Sequence, residues 1–354
     1  MKTLKHLSMA LVACIVIAAS GIQSRAADQP TYTVARSHYA GWEPWDYIES
    51  SGILKKWSDK YGVKIKLTPW MDYVPSMELY TAGKAVGCLM TNMDALTMPA
   101  VGGVDSTALI MGDFSNGNDG IVLRKGTSIK DLKGRKVLLV ELTVSDYMLS
   151  RGLGQNGMAD SDVVRVNTAD SAIVSAFAAS PVETAIVTWN PLLMQARNLK
   201  GATMVFDSSK IPGEIMDLLV IRTDAPAAVK KALVGAWYEA MGIMSGQGKA
   251  TDEAIADMAK SAGGSLAEFQ AQLKTTRMFY DSKDAVAFTK GDGIKKTMEL
   301  VRTFSFDHGL YGQSLTSKDA IGIEFADKAV LGNKNNVKLR FDSVYMQLAA
   351  EGKL

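Results

Sequence analysis

Hydrophobic residues are spaced in two different ways along the chain, and the change falls near residue 222. Before it, short runs rich in Val, Ile and Leu alternate with segments of helical composition bounded by Gly, Pro or Asp. Strands are predicted at 63–67, 107–111, 120–123, 137–140, 184–187 and 218–221, and helices at 53–61, 74–82 and 145–154. This alternation predicts an α/β fold with mainly parallel sheets.

The residues beyond 226 follow a helical period instead. Apolar residues recur at spacings of three and four in the series Val229, Leu233, Trp237, Ala240, Met241 and Met244. Further helices are predicted at 251–261, 265–273, 293–304 and 343–351. The last third of the chain is therefore expected to form a helical layer packed on the first α/β unit.

The first 26 residues have the pattern of a cleavable export signal. Lys2 and Lys5 precede an apolar run at 7–19, and Ser-Arg-Ala at 24–26 suits a cleavage site. The run is shorter than the roughly 20 residues that a membrane span needs. Cys14 also fits a lipoprotein box, but the apolar run continues past it, which favours removal of Cys14 with the signal. We expect a secreted chain that begins near residue 27.

Charge and cysteine content narrow the possible functions. Removing Lys2, Lys5 and Arg25 with the signal changes the formal net charge from +2 to −1, which does not favour a nucleic-acid partner. Cys88 is then the one cysteine left, in an apolar run, so no internal disulfide is expected. The sequence contains no P-loop, GxSxG or HExxH string, and we expect neither a cofactor nor a metal ion.

Three segments, in order along the chain, resemble solute-binding proteins of the nitrate/sulfonate/taurine type. They are YTAGKAVG at 80–87, SIKDLKGRKV at 128–137 and ETAIVTWNP at 183–191. Three others are similar to a narrower branch associated with urea carboxylase, namely YAGWEPW at 39–45, TNMDAL at 91–96 and GDFSNGNDG at 112–120. The ligands expected for that branch are urea or guanidine.

The resemblance implies a two-lobed periplasmic-binding-protein fold of type II. Two crossover hinge strands, at 119–123 and 218–222, would separate lobe one (27–118 and 223–354) from lobe two (119–222). It also implies a monomeric, non-enzymatic periplasmic protein of an ABC importer. Such a protein captures a small-molecule solute between its lobes and delivers it to a membrane permease driven by an ATPase.

Candidate ligand residues lie in the loops that follow the strands, because α/β sheets bind ligands at the carboxyl ends of their strands. These loops are rich in hydrogen-bond acceptors and aromatic rings and contain no Lys or Arg. The residues expected to bind the ligand are Tyr39, Trp42, Trp45, Asn92, Asp94, Asn118, Glu141, Ser145, Trp189, Glu214 and Asp217.

These hydrogen-bond acceptors and aromatic rings suit a flat ligand that donates hydrogen bonds from N–H groups. Guanidinium offers N–H donors and a positive charge, whereas urea also carries a carbonyl acceptor; an aromatic face can contact either. Sulfonate and nitrate binders of the family carry a Gly-Ser/Thr-rich loop where this chain has VELTVS at 140–145, and Glu141 there would repel an anion. We therefore expect guanidinium ahead of urea, provided that Glu141 or Asp94 faces the cleft.

Several alternatives stay open. Trp42 and Trp45 could pack at a helix start, Asp94 could cap a helix, and Arg36 could pair with one of the acids and weaken the case for a cation. Another amine, an amidine, an aromatic solute or an oxyanion could be the ligand, and a sensor domain could use the same fold. An enzyme resembling the pyrimidine-forming enzyme of thiamin synthesis would need a histidine and a cysteine cluster, but only His38, His308 and Cys88 remain beyond the signal.

Overall fold

The computed structural model describes residues 30–354 and contains two β-sheets with helices packed around them. The predicted export signal and Cys14 lie outside the described residues. The strands are β1 (Thr31–Ala35), β2 (Lys64–Leu67), β3 (Gly87–Thr91), β4 (Ser106–Ser115), β5 (Asp119–Leu123), β6 (Lys136–Leu139), β7 (Val164–Asn167), β8 (Ala185–Trp189), β9 (Thr203–Asp207), β10 (Met216–Arg222), β11 (Thr276–Met278), β12 (Gly322–Glu324), β13 (Val330–Leu331) and β14 (Val337–Phe341).

The α-helices surround both sheets. They are α1 (Pro44–Ser50), α2 (Ile53–Lys60), α3 (Tyr73–Thr81), α4 (Asn92–Ala95), α5 (Val144–Gln155), α6 (Asp170–Ala179), α7 (Leu192–Arg197), α8 (Ala227–Met244), α9 (Lys249–Ser261), α10 (Leu266–Lys274), α11 (Ser282–Lys290), α12 (Asp292–Asp307) and α13 (Val344–Ala350). No helix in the described part of the chain is both long and apolar enough to span a bilayer.

Each sheet forms the centre of one lobe. The nine-stranded sheet has the order β13-β12-β14-β4-β10-β3-β1-β2, and β11 pairs with the end of β4. The five-stranded sheet has the order β7-β6-β8-β5-β9. We call the larger sheet with its helices lobe one, and the smaller sheet with α5, α6 and α7 lobe two.

The chain crosses between the lobes twice. It leaves lobe one through residues 116–118, between β4 and β5, and returns through residues 208–215, between β9 and β10. This architecture confirms the predicted fold class. The predicted hinge strands each lie within one sheet, so the residues that cross are those immediately before them.

The sheets are mixed, and the prediction of mainly parallel pairing is corrected. Among the described residues, six strand pairs are parallel and six are antiparallel. The two strands that follow the crossings, β5 and β10, run antiparallel to both of their neighbours. A strand that enters from the other lobe therefore reverses the direction that βαβ units impose on the rest of the sheet.

The last third of the chain is only partly a helical layer. The predicted helices correspond to α8, α9, α10, α12 and α13, and α8 packs against α1, α2 and α13 of lobe one. The sequence pattern missed α11 and the strands β11 to β14, which all join the lobe-one sheet. These strands have two to five residues each, so they are too short to show a clear period of two.

Candidate ligand-binding site

A narrow cavity lies between the two lobes, and the centre of a water-sized sphere can occupy only about 10 Å³ of it. Its wall consists of Tyr39, Trp42, Tyr73, Thr91 and Asp217 from lobe one and Asp119, Val144 and Trp189 from lobe two. Pockets for drug-sized ligands are far larger, at roughly 300 Å³ and above. With the lobes as close as they are here, the cavity excludes all but the smallest solutes.

Strand register brings the polar wall together from distant parts of the chain. In lobe one, Asp217 on β10 lies opposite Thr91 on β3 and opposite Asp113 on β4. In lobe two, Asp119 at the start of β5 lies opposite Trp189 at the end of β8. The site is therefore made of two rows of cross-strand neighbours, one from each lobe.

Four aromatic rings form a continuous series around the cavity. The ring centroids are separated by 5.1 Å between Tyr39 and Trp42, 5.7 Å between Trp42 and Tyr73, and 5.5 Å between Tyr73 and Trp189. All four side chains are buried. Such rings offer contact area to a flat ligand and their faces attract a cation.

Gly41 allows the segment 39–42, which carries Tyr39 and Trp42, to lie close to the carboxyl group of Asp113. A Cβ atom at Gly41 would lie 2.3 Å from Asp113 Oδ2 and 2.6 Å from Tyr39 Cε1. Any larger residue would therefore force the 39–42 segment away from β4. The spacing between Tyr39 and Trp42 at the cavity wall depends on this absence of a side chain.

Three carboxyl groups are buried at the site without a cationic partner. Asp113, Asp119 and Asp217 are at most 3% exposed, and none of them forms a salt bridge with a described residue. Burial raises the pKa of Asp119 to about 7 and also raises the pKa of Asp113. Burial, together with the charges of Asp113 and Asp119, raises the pKa of Asp217 well above its ordinary value.

Asn118 supports the cavity wall from behind. The Tyr39 hydroxyl donates to Asp113 Oδ1 at 3.0 Å, and Asn118 Nδ2 donates to the Tyr39 oxygen at 3.3 Å. Asn118 Oδ1 accepts from Asn190 Nδ2 at 2.6 Å and from Thr275 Oγ1 at 2.7 Å. Asn118 thus ties residues of both lobes to Tyr39, but it is not part of the lining itself.

Asp94 holds three cavity residues in place rather than lining the cavity. Its Oδ2 accepts from the Tyr73 hydroxyl at 2.7 Å, from Thr91 Oγ1 at 2.8 Å and from the Val144 backbone N–H at 3.4 Å. Burial raises the pKa of Asp94 to about 6. The helix cap that the sequence suggested here is supplied by Thr91, whose hydroxyl oxygen accepts from the Asp94 backbone N–H.

Four of the expected ligand residues line the cavity, namely Tyr39, Trp42, Trp189 and Asp217. Trp45 does not, because its ring stacks on Trp237 in the core at a centroid distance of 5.4 Å. Asn92 and Glu214 are occupied elsewhere: Asn92 Oδ1 accepts from the Met216 N–H, and Glu214 accepts from Arg151 at 2.7 Å.

Ser145 is buried beside the lining residue Val144 without joining the wall. The hydroxyl oxygen of Ser145 has no hydrogen-bond partner among the described residues. In the loop from residue 140 to 145, the side chain that reaches the cavity is therefore the apolar one of Val144.

Glu141 lies outside the cavity, which corrects the expectation that it would face the ligand. Its backbone N–H donates to Asn167 Oδ1, and its side chain borders a separate surface groove with Asp146, Arg165 and His308. The next residue, Leu142, has a φ of 63° and is 65% exposed. Glu141 therefore belongs to a groove at the lobe boundary that is distinct from the cavity.

Sequence reasoning left four lining residues out of the expected set. Thr91, Asp119 and Val144 lie within segments that the sequence had singled out, at 91–96, 112–120 and 140–145. Tyr73 lies one residue before the helix predicted at 74–82, and no local pattern marks it. Its place at the cavity follows only from the packing of α3 against β1 and β3.

Arg36 does not neutralise the cavity. Its guanidinium pairs with Asp46 at 3.3 Å and with Glu49 at 3.0 Å, and it lies 4.2 Å above the Trp70 ring. The open alternative that Arg36 pairs with the candidate acids is therefore excluded in this structure. No Lys or Arg is among the residues that line the cavity.

A family model described as "NMT1/THI5 like" matches residues 55–257, which is more than half of the chain. The chain belongs to the NMT1/THI5-like family. Candidate binding proteins of Brucella abortus (strain 2308) and Brucella suis biovar 1 are 30% identical over 147 residues. That alignment covers 39% of this chain and 45% of the Brucella proteins, so it spans less than half of these curated relatives.

Solved structures share the fold of this NMT1/THI5-like protein at low sequence identity. The alkanesulfonate-binding protein SsuA of Xanthomonas axonopodis pv. citri, bound to MOPS, has a TM-score of 0.66 and 14% identity, with 82% of this chain and 97% of that chain covered. The nitrate-binding protein NrtA of Synechocystis PCC 6803 has a TM-score of 0.56 and 13% identity, with 90% and 98% covered. Both establish the two-lobed binding-protein fold.

The described residues contain no group of three or more His, Cys, Asp or Glu side chains placed to hold a metal ion. The polar groups of the cavity are carboxyls, phenols, a threonine hydroxyl and the indole N–H groups of two tryptophans. In chemical terms, the arrangement can accept hydrogen bonds from a ligand at its carboxyl groups, can donate from the indole of Trp42, and can stack against the ligand.

Proposed function

We propose that this protein is the periplasmic solute-binding component of an ABC importer and that its solute is a small planar cation, guanidinium before all others. In this role it is exported, captures the solute between its lobes and presents it to a permease coupled to an ATPase. The family, the fold and the position of the cavity between the lobes support the transport role. The chemistry of the cavity wall supports the choice of solute.

The observation that carries the choice of a cation is the pair of carboxyl groups in the wall. Asp119 and Asp217 line a cavity whose wall contains no Lys or Arg side chain. A buried carboxylate without a counter-ion costs several kcal/mol, and a guanidinium partner offsets that cost through charge-assisted hydrogen bonds. An oxyanion would add to the negative charge instead, so nitrate and sulfonates fit poorly here.

An unpaired oxygen atom in the wall favours a cation that carries N–H groups. Asp217 Oδ2 has no donor among the described residues, although the side chain is buried. A quaternary ammonium would satisfy the aromatic rings but would leave this oxygen without a hydrogen bond. Guanidinium and small amidinium ions provide both the charge and the donors.

Urea is the second candidate, and Trp42 is the reason. The indole N–H of Trp42 is buried and has no acceptor among the described residues. Urea could supply a carbonyl oxygen to it, whereas guanidinium has no acceptor. Replacement of Trp42 by Phe should therefore weaken binding of urea more than binding of guanidinium.

Calorimetric titration of the chain from residue 27 tests the proposal. Guanidinium, acetamidinium, urea, tetramethylammonium, nitrate and methanesulfonate are compared at low concentrations that do not unfold the protein. We expect binding of guanidinium with a rise in melting temperature, weaker binding of urea and none of the two anions. Binding of nitrate or methanesulfonate alone would overturn the proposed solute. Chemical conversion of bound guanidinium or urea, followed by NMR, would instead favour an enzyme.

A further inference from the structure

Asp113 and Asp217 form a pair of carboxyl groups that cannot both be ionised comfortably. They occupy opposite positions on the antiparallel strands β4 and β10, both side chains are buried, and burial together with the charge of Asp113 raises the pKa of Asp217. Two negative charges on such buried neighbours repel each other. One of the two carboxyl groups therefore holds a proton more tightly than an isolated carboxyl group does.

The groups around this pair provide no positive charge that could replace the proton. Tyr39 donates its hydroxyl to Asp113 on one side. The carboxyl group of Asp119 acts on both members of the pair through its charge, and Asp94 acts in turn on Asp119. Burial and the charge of Asp113 raise the pKa of Tyr280, whereas Arg277, on the strand β11 beside β4, lowers it. Arg277 does not contribute to the pKa shift of either member of the pair, so the groups that act on the pair directly are acids and phenols.

We infer that a cationic solute enters this cavity in exchange for a proton held by the carboxyl groups of Asp113, Asp119 and Asp217. The inference rests on the proposed function, because only a positively charged solute makes the exchange favourable. It assigns Asp113, which is not part of the lining, a role in selecting charged over neutral solutes.

The exchange keeps the charge of the buried site constant. An O–H bond of one carboxyl group breaks, the proton passes to solvent, and an N–H group of the solute donates to the oxygen that is left charged. No electrons are transferred. A cation that entered without loss of a proton would change the net charge of a water-poor site, which is costly. Because burial raises the pKa of Asp119 to about 7 and raises that of Asp113 as well, protons are available for this exchange in mildly acidic solution.

Proton release can be measured directly by titrating the protein with guanidinium in buffers of different ionisation enthalpy. We expect release of up to one proton per guanidinium at about pH 6 and much less at about pH 8.5, with an affinity that rises by up to about tenfold per pH unit between them. Binding of urea, which is neutral, should release no proton.

Variants separate the carboxyl pair from the rest of the protein. Asp113→Asn replaces the proton by an amide donor, so guanidinium should still bind but release clearly less than the wild type. Asp119→Asn provides a second test should Asp113→Asn fail to fold. Glu183→Gln is the control, because Glu183 is exposed and pairs with Lys125 on the surface; it should release as much as the wild type.

The two proposals fail in different ways. Binding of guanidinium with constant affinity and no proton release between about pH 6 and pH 8.5 would overturn the exchange and leave the proposed solute intact. Absence of guanidinium binding at every pH would overturn both.

Discussion

The carboxyl groups of Asp72 and Asp170 cap each other's helices across the boundary between the lobes. Each accepts hydrogen bonds from the first turn of the helix at whose start the other residue stands. Asp170 accepts from the backbone N–H of Tyr73, at 3.2 Å to each carboxyl oxygen, at the start of α3 in lobe one. Asp72 accepts from the Ser171 backbone N–H at 3.2 Å and from its hydroxyl at 3.0 Å, at the start of α6 in lobe two. The lobes are therefore joined by two reciprocal helix caps, one of which fixes the backbone of a cavity residue.

Removing these caps should weaken solute binding by favouring separation of the lobes. A helix cap contributes roughly 0.5–2 kcal/mol. We expect Asp72→Ala and Asp170→Ala each to lower affinity several-fold, and the double variant to lose less than the product of the two effects. Calorimetry measures the affinities, and small-angle X-ray scattering should record a larger radius of gyration for the variants.

Asp281→Ala is the matched control for the reciprocal caps. Asp281 caps α11 within lobe one by accepting from the Lys283 N–H at 2.8 Å. Its removal should lower the melting temperature without changing affinity. Equal effects of Asp281→Ala and Asp170→Ala on affinity would contradict a specific role for the caps between the lobes.

Replacing single carboxyl groups by amides distinguishes the cavity wall from the neighbouring groove. Asp217→Asn removes a lining carboxyl group and should reduce guanidinium affinity by about tenfold or more, because a hydrogen bond to a charged group contributes roughly 1.5–3 kcal/mol. Glu141→Gln should leave affinity unchanged, since Glu141 borders a different groove. A larger loss for Glu141→Gln than for Asp217→Asn, in the same titration, would restore the ligand position that the sequence suggested.

A single methyl group at position 41 should disturb the site. Gly41→Ala would place its Cβ 2.3 Å from Asp113 Oδ2, so Tyr39 or Asp113 must move and solute affinity should fall by at least about tenfold. Gly154→Ala is the control, because Gly154 lies near the end of α5 with no atom within 4 Å of an added Cβ. Alanine there should raise stability slightly and leave binding intact. Wild-type affinity of Gly41→Ala would show that the 39–42 segment is not constrained as the structure indicates.

Buried carboxyl groups should make the ligand-free protein less stable as the pH rises. The pKa is raised to about 6 for Asp94, to about 7 for Asp119 and in the same direction for Asp113, whereas an unfolded Asp titrates near 3.9. A group with a raised folded pKa contributes stability below its unfolded pKa, and that contribution is lost as the pH rises through the folded pKa. We expect a higher melting temperature at about pH 5 than at about pH 8.

Ligand and variants provide the checks on this pH dependence. Saturating guanidinium should reduce the loss of stability at high pH, because it supplies the missing counter-charge. Asp113→Asn should flatten the dependence. Exposed carboxylates with lowered pKa, such as Asp131 and Asp162, act in the opposite direction, but solvent screens their effect. A melting temperature that increases steadily from pH 5 to pH 8 would contradict the raised pKa values.

The difference between Glu141 and Asp217 illustrates how far sequence reasoning reached into the site. Both residues adjoin apolar runs with the pattern of strands, so the local sequence makes them equally plausible as ligand-binding residues. The structure separates them because Glu141 follows β6 into a turn that borders a different groove, while β10 lies between β3 and β4 and places Asp217 in the cavity wall. Which of two strand-end acids faces a cleft depends on backbone direction and strand order, and neither is encoded in a short window.

The sequence by itself determined the local chemistry: the periods that form strands and helices, the family resemblance, and the acidic and aromatic loops that lack Lys and Arg. These follow from side-chain types and their spacing over a few residues. Only the tertiary structure decided that Thr91, Asp217 and Asp113 form one row, that Asp119 and Trp189 form another, and that Tyr73 lies between Trp42 and Trp189 in the series of aromatic side chains. The physical reason is that strand register and the meeting of two lobes join residues about 70 to 130 positions apart, and such contacts are selected by packing of the whole chain.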